Sequence, residues 1–160
     1  MVREVVEALR PEGGGWFVDC TLGMGGHGRA ILEAGASACL LGLDRDAGAL
    51  RLAAERLSGS VGRFRALHTN FKDVDRWAPL LPEAPAGILV DLGMSGYQLK
   101  SGRGFSFQDS SALDMRMDPS AGESARDLLD TLSEKDLARL LRTYGEEPFA
   151  GRIARAVCRE

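Results

Sequence analysis

Glycine and aspartate carry the chemistry in this sequence. Gly23, Gly25, Gly26 and Gly28 fall within six residues, shortly after the apolar run Trp16-Phe17-Val18 and its closing Asp19. A second acidic residue, Asp44, closes the run Ala38-Cys39-Leu40-Leu41-Gly42-Leu43, and a third, Asp91, lies in Gly87-Ile88-Leu89-Val90-Asp91-Leu92. Glycines after a strand let a ligand approach the backbone at dihedrals that a Cβ would forbid. An aspartate about twenty residues further on suits ribose hydroxyls.

Gly23, Gly25 and Gly28 satisfy G-x-G-x-x-G, so a dinucleotide site is one reading, on a pattern that is weakly specific by itself. Asp19 shifts the balance. It lies four residues before Gly23, at the carboxyl end of the expected strand, where it would repel a pyrophosphate. S-adenosylmethionine carries a sulfonium, an ammonium and a ribose but no phosphate. The residue chemistry therefore leans towards a methyl-donor site.

The elements that must position these groups follow from periodicity. Val2 to Leu9 reads as an amphipathic helix ended by Pro11 and Gly13-Gly14-Gly15. Strands are expected at Trp16–Asp19, Ala38–Leu43, Phe64–His68 and Gly87–Leu92. Between them lie a helical segment around Arg29–Glu33, a helix capped by Asp46 and running through Leu57, and a short helix over Val74–Leu81. Continuous apolar runs alternating with helical periods indicate a parallel sheet covered on both faces. Asp44, Phe71 and Asp91 then lie at the carboxyl ends of strands two, three and four, the edge where such sheets bind ligands. Each also has a plainer reading: Asp44 as the start of the Asp46 cap, Phe71 as core, Asp91 as a partner for loop amides.

A glycine- and serine-rich loop from Gly93 to Asp118 leaves this edge. Phe105 and Phe107, beside Lys100 and Arg103, suit either nucleotide stacking or hydrophobic anchoring of the loop. Beyond Asp118 the pattern is helical. Ser124 caps one helix to Leu132, Ser133-x-x-Asp136 opens another to Tyr144, and Pro148 opens a last one with Phe149, Ile153 and Val157 inward and Arg152, Arg155 and Arg159 on another face.

Composition sets bounds. The chain has 160 residues, 44% of them apolar, enough for one ordinary domain. Its formal net charge of -3 argues against a highly basic nucleic-acid binder, although arginine far outnumbers lysine and suits phosphate contacts. Cys20, Cys39 and Cys158 show no metal spacing; Cys20 and Cys39 sit in apolar runs as buried free thiols, which fits a reducing, cytoplasmic compartment. No apolar run has the length of a membrane span.

Together these residues resemble the MraW family, bacterial N4-cytidine methyltransferases of small-subunit ribosomal RNA. The resemblance rests on Val18-Asp19-Cys20-Thr21-Leu22-Gly23, Gly25-Gly26-His27, Gly42-Leu43-Asp44-Arg45-Asp46, Asn70-Phe71 and Val90-Asp91-Leu92-Gly93. It continues in Gln98-Leu99, Arg103-Gly104-Phe105-Ser106-Phe107, Leu113-Asp114-Met115-Arg116-Met117-Asp118 and Tyr144-Gly145-Glu146-Glu147. The resemblance implies a Rossmann-like α/β methyltransferase core over 1–112, incomplete at strand four, then the start of an all-helical insertion over 113–160. It implies that S-adenosylmethionine is held by Gly25, Gly26, His27, Asp44, Phe71, Asp91 and Gln98. It further implies that the substrate is a decoding-region cytidine of 16S rRNA in the small subunit. Asp91 is the expected catalytic acceptor at the cytosine amine, with a backbone carbonyl of Gly93 to Ser95 as the alternative; no metal and no membrane are expected, and a homodimer is a possible assembly.

The sequence also departs from the family pattern. Met24 replaces a usual glycine, Gly28 a usual serine, and Ser95-Gly96-Tyr97-Gln98-Leu99-Lys100 stands where Ser-Ser-x-Gln-Leu-Asp is usual. Family members are roughly twice as long on the domain-size scale and begin with a His-x-Pro pattern missing here. The chain therefore reads as an N-terminal piece whose fourth strand keeps an open edge. Two other functions compete: an S-adenosylmethionine-binding remnant without turnover, and an NAD-dependent oxidoreductase built on the glycines and Asp44.

Overall fold

Four parallel strands pair in the order β3-β2-β1-β4: β1 (Gly15–Asp19), β2 (Ala38–Asp44), β3 (Phe64–His68) and β4 (Gly87–Leu89). Between β1 and β2 runs α2 (Gly26–Ala34), and between β2 and β3 runs α3 (Ala47–Arg56); α1 (Val2–Leu9) precedes the sheet. The short α4 (Val74–Trp77) and a 3-10 turn at Ala78–Leu80 link β3 to β4. This is the α/β arrangement, a parallel sheet with helices between its strands, that the resemblance implies. The computed structural model describes residues 1–108, 110 and 112–159. Asp109 and Ser111 of the Arg103-to-Asp118 signature, and Glu160 at the end of the expected segment 113–160, lie outside them.

Strand alternation sorts the core into two layers. Phe17 and Leu40 point to one face and pack with Leu22, Ile31, Leu32, Leu50, Ala53 and Leu57 from the glycine loop, α2, α3 and the end of α3. Trp16, Val18, Leu41 and Leu43 point to the other and pack with Cys20 and Trp77. The second layer is thinner, and Arg65 lies over the Trp16 ring at 4.9 Å. Cys20 is buried as expected, whereas Cys39 is only partly so, because it sits at the margin of this thinner layer.

The chain divides into two compact units, Met1–Gln98 and Leu99–Glu160. In the second, α6 (Ala125–Thr131) has a full capping box from Ser124 and Asp127, and Ser133 caps α7 (Glu134–Gly145). The last helix, α8 (Ala150–Val157), differs from expectation. It begins after Pro148 and Phe149, and Phe149, Ile153 and Val157 are 59%, 38% and 36% exposed. The residues α7 and α8 bury are Leu137, Ala150 and Ala154. Small side chains let helix axes approach closely, and on α8 it is the alanine face, not the face with the larger side chains, that is buried. β4 is also shorter than the expected Gly87–Leu92: its ladder to β1 ends at Leu89, and Val90 and Leu92 are exposed.

Candidate active site at the carboxyl edge of the sheet

The glycine loop is built by backbone bonds to both neighbouring strands. Leaving β1, the Cys20 amide donates to the Leu89 carbonyl of β4, and the Leu22 amide to the Leu43 carbonyl of β2. The loop then turns through Gly23 (φ 53°) and Gly25 (φ 77°), left-handed conformations that suit glycine, and Gly25 caps α2. At Gly28 the backbone is helical, and the need is space: a Cβ there would lie 2.6 Å from Leu40 Cδ2. Glycine at this point lets α2 lie close on β2.

Asp44 fastens the loop. Its Oδ2 accepts the Gly23 amide at 2.7 Å, and its Oδ1 accepts the Asp46 amide at 2.9 Å. Asp46 in turn caps α3, accepting from the Gly48 and Ala49 amides. The plain reading of Asp44, as the start of the Asp46 cap, is therefore real, and the same carboxylate also anchors the glycine loop. Each carboxylate oxygen has two lone pairs, so one further acceptor position remains on each.

Asp91 enters from the other side. Its amide donates to Thr21 Oγ1 at 2.8 Å, which ties the end of β4 to the glycine loop, and its Oδ2 lies 3.7 Å from His27 Nδ1. That separation is an ion pair when the imidazole is protonated, and too long for a hydrogen bond. Thr21 was not singled out by the sequence reading; a hydroxyl two residues past a strand-ending aspartate is a weak signal. The structure thus joins Gly25, Gly26, His27, Asp44 and Asp91 around one loop. Phe71 and Gln98 stand apart from these direct ties, each beyond the carboxyl end of its own strand. Phe71 packs on the Trp16 layer and accepts the Trp77 indole N–H at 2.9 Å through its carbonyl. Gln98 is buried in the turn α5 (Gly96–Leu99), where its Oε1 accepts the Ser95 amide.

The electrostatics of this edge are acidic. Asp19 is 1% exposed, and burial pushes its carboxyl up to about 6, helped by the nearby charges of Asp44 and Asp91 and opposed by the Thr21 amide and His27. Asp19 Oδ1 accepts the Thr21 amide, while Oδ2 has no hydrogen-bond partner. Among the described residues the other orphaned buried side-chain atom is Thr69 Oγ1, just beyond the end of β3 on the same edge. Buried polar atoms left unpaired are uncommon, and both of these lie at the carboxyl edge of the sheet. Burial, with Asp19 adjacent, raises the Cys20 thiol to about 11, so it stays protonated and inert.

The signature loop of the second unit is tied down by its own arginines. Arg103 donates through Nη1 to the carbonyls of Arg116 and Met117 and lies over the Phe105 ring, while Arg116 forms a two-pronged pair with Asp114 at 2.6 and 2.9 Å. Of the two readings of this loop, anchoring fits Phe105, whereas Phe107 is fully exposed. On the arginine face of α8, Arg155 pairs with Glu134 and Arg152 lies over Phe149.

Among the described residues no helix is long and apolar enough to cross a membrane.

Comparison with known proteins places these observations. The model of the MraW methylase family matches residues 1–160. The ribosomal RNA small subunit methyltransferase H of Syntrophotalea carbinolica is 51% identical over 160 residues, covering 98% of this chain and 51% of that protein. Its counterpart in Methylococcus capsulatus is 48% identical over 164 residues, covering 100% of this chain and 54% of that one. A solved rRNA methylase from Streptococcus thermophilus is 15% identical and overlaps 67% of this chain and 64% of its own at a TM-score of 0.44. The chain spans about half the length of the curated relatives it matches. From a match over its full length and about one residue in two shared with those relatives, the chain belongs to the MraW methylase family.

Proposed function

We propose that this chain carries the cofactor site of an S-adenosylmethionine-dependent methyltransferase acting on the N4 amine of a decoding-region cytidine in 16S rRNA. The observation that carries the reading is the unpartnered, buried Asp19 Oδ2 at an edge that also holds Asp44 and Asp91. Three carboxylates repel a pyrophosphate and favour a cationic ligand. The donor set fits the methyl donor: positive-φ glycines leave backbone room, Asp44 keeps acceptor positions for ribose hydroxyls, and Phe71 offers an aromatic ring beyond β3. The relatives' name speaks for a small-subunit ribosomal RNA substrate. Such a substrate puts the protein in the cytoplasm, and segment 113–160 would open a helical substrate-recognition insertion.

On this reading Gly25, Gly26 and His27 hold the amino-acid part, and Asp91 and Gln98 serve the reacting end. When bound, the donor supplies an electrophilic methyl on a sulfonium. A cytosine amine is a poor nucleophile because its lone pair is delocalised into the ring. Asp91, accepting one N–H, draws that pair out of conjugation and then takes the proton; a carbonyl from Gly93 to Ser95 is the second acceptor. Methyl transfer from labelled donor to undermethylated small subunits tests the proposal. Asp91→Asn is expected to keep donor binding and lose turnover by about 100-fold or more, the scale of a lost general base. Transfer to another base or position, or an unimpaired Asp91→Asn, would overturn the corresponding part.

A further inference from the structure

We propose that Tyr97 is a positioning residue, a latch that fastens the segment after β4 onto the amino terminus of α3, with Gly48 as its seat. Its bearing on ligand binding rests on the cofactor reading of Gln98 given above; its structural part does not.

The segment is tied at its start, where the Asp91 amide donates to Thr21 Oγ1, and needs a second fastening further on. Beyond Leu89 the chain leaves the ladder, and Val90, Asp91, Leu92, Gly93 and Met94 are all exposed. Burial returns only at Ser95, Tyr97 and Gln98, and the first unit ends at Gln98. Within the turn, Gln98 Oε1 accepts the Ser95 amide and Ser95 Oγ accepts the Gln98 amide, bonds that close the turn on itself.

Gly48 shows where the hold lies. It is the second residue of α3, in helical backbone with no left-handed φ to require glycine. Alanine would be the better helix former there. The space its Cβ would take is filled: such an atom would run into the Tyr97 hydroxyl, with Tyr97 Cζ at 3.3 Å and Asp46 Oδ1 at 3.2 Å. The missing side chain is the seat of the phenol. This seat belongs to the turn whose Asp46 amide bonds Asp44 Oδ1, so the latch joins the segment carrying Asp91 and Gln98 to the turn carrying Asp44.

Hydrogen exchange of the ligand-free chain tests the latch, with the Ser95 and Gln98 amides as reporters. Gly48→Ala is expected to speed their exchange about tenfold while the sheet amides stay unchanged, as local opening requires. Gly48→Ala combined with Tyr97→Phe removes the hydroxyl the new methyl would meet and is expected to restore protection. Tyr97→Ala, which leaves α3 untouched, is expected to give the same local loss even if Gly48→Ala disturbs folding. Gly59→Ala, where a Cβ meets nothing within 4 Å, is the control. Unchanged exchange at Ser95 and Gln98 in Tyr97→Ala, or no recovery in a folded double variant, overturns the latch. In calorimetry, the latch variants are expected to bind S-adenosylmethionine more weakly than the parent chain. A parent chain that binds none sinks the cofactor reading alone, and the latch is then decided by exchange.

Discussion

Asp44 Oδ2 accepts the Gly23 amide at 2.7 Å, so the carboxylate expected to meet a ribose also anchors the glycine loop to the end of β2. With the Asp46 amide on its other oxygen, Asp44 holds two backbone donors at once. Asp44→Ala strands both. At about 1–3 kcal/mol for each buried donor left unmet, and with both bonds only partly buried, a stability loss in the lower part of that range, about 2–4 kcal/mol in all, is expected in urea denaturation. Asp44→Asn keeps one acceptor and should lose about half as much. A loss well below about 1 kcal/mol for Asp44→Ala would show that the loop does not depend on this anchor.

Asp19 gives stability a definite pH dependence. Its folded carboxyl titrates at about 6 against an ordinary 3.8, so the folded chain holds this proton more tightly than the unfolded chain does. The contribution of Asp19 to stability therefore falls as pH rises from about 4 to about 6 and stays low above that, a difference of about 3 kcal/mol. Asp19→Asn should be more stable than the parent near neutral pH, with the gain vanishing towards about pH 4. It should also bind a cationic ligand more weakly. Urea denaturation at several pH values checks this; a stability difference that does not change with pH would contradict it.

In the second unit the sign is opposite. Hydrogen bonds from the Arg116 side chain and amide hold the Asp114 carboxyl down to about 2. This pair therefore supports the loop at all pH values above about 4 and lets go only as pH falls towards about 2. Carboxyl-carbon NMR titration should find Asp114 ionised well below the range of exposed aspartates, and Arg116→Ala, which keeps only the amide bond, should raise it most of the way back. An ordinary Asp114 midpoint in the parent chain would refute the pair.

The residues that α7 and α8 bury are Leu137 on the first helix and the small Ala150 and Ala154 on the second. Ala154 is fully buried and Ile153 is 38% exposed. Ala154→Leu should cost about 1–3 kcal/mol by overpacking, whereas Ile153→Ala should cost clearly less than the 2 kcal/mol or more typical of a buried isoleucine. Thermal unfolding of the two variants decides between the faces, and the reverse ranking would restore the face expected from sequence.

Much of the sheet was legible because its strands carry apolar runs, and the ends of β1 and β2 are marked by Asp19 and Asp44, with Asp91 two residues past the end of β4. The α3 and α6 caps were legible for a similar reason: Asp46 and Ser124 act on amides two or three residues away. What escaped involves partners distant in sequence. The inner face of α8 was misread because periodicity marks Phe149, Ile153 and Val157 as apolar but cannot show that close helix approach selects Ala150 and Ala154. The bond from Asp91 to Thr21 and the seat of Tyr97 on Gly48 join residues about fifty to seventy apart, and no local pattern announces them. The position of Asp44 at the end of its strand was legible, yet its hold on Gly23 came only from the fold.

The most direct test of the site is calorimetric titration of the chain with S-adenosylmethionine, with NAD as the comparison and circular dichroism to confirm folding. Saturable binding of the methyl donor, weakened in Asp19→Asn, with none for NAD, is the expected result. A folded chain that ignores S-adenosylmethionine, or binds NAD equally well, would contradict the assignment of this sheet edge.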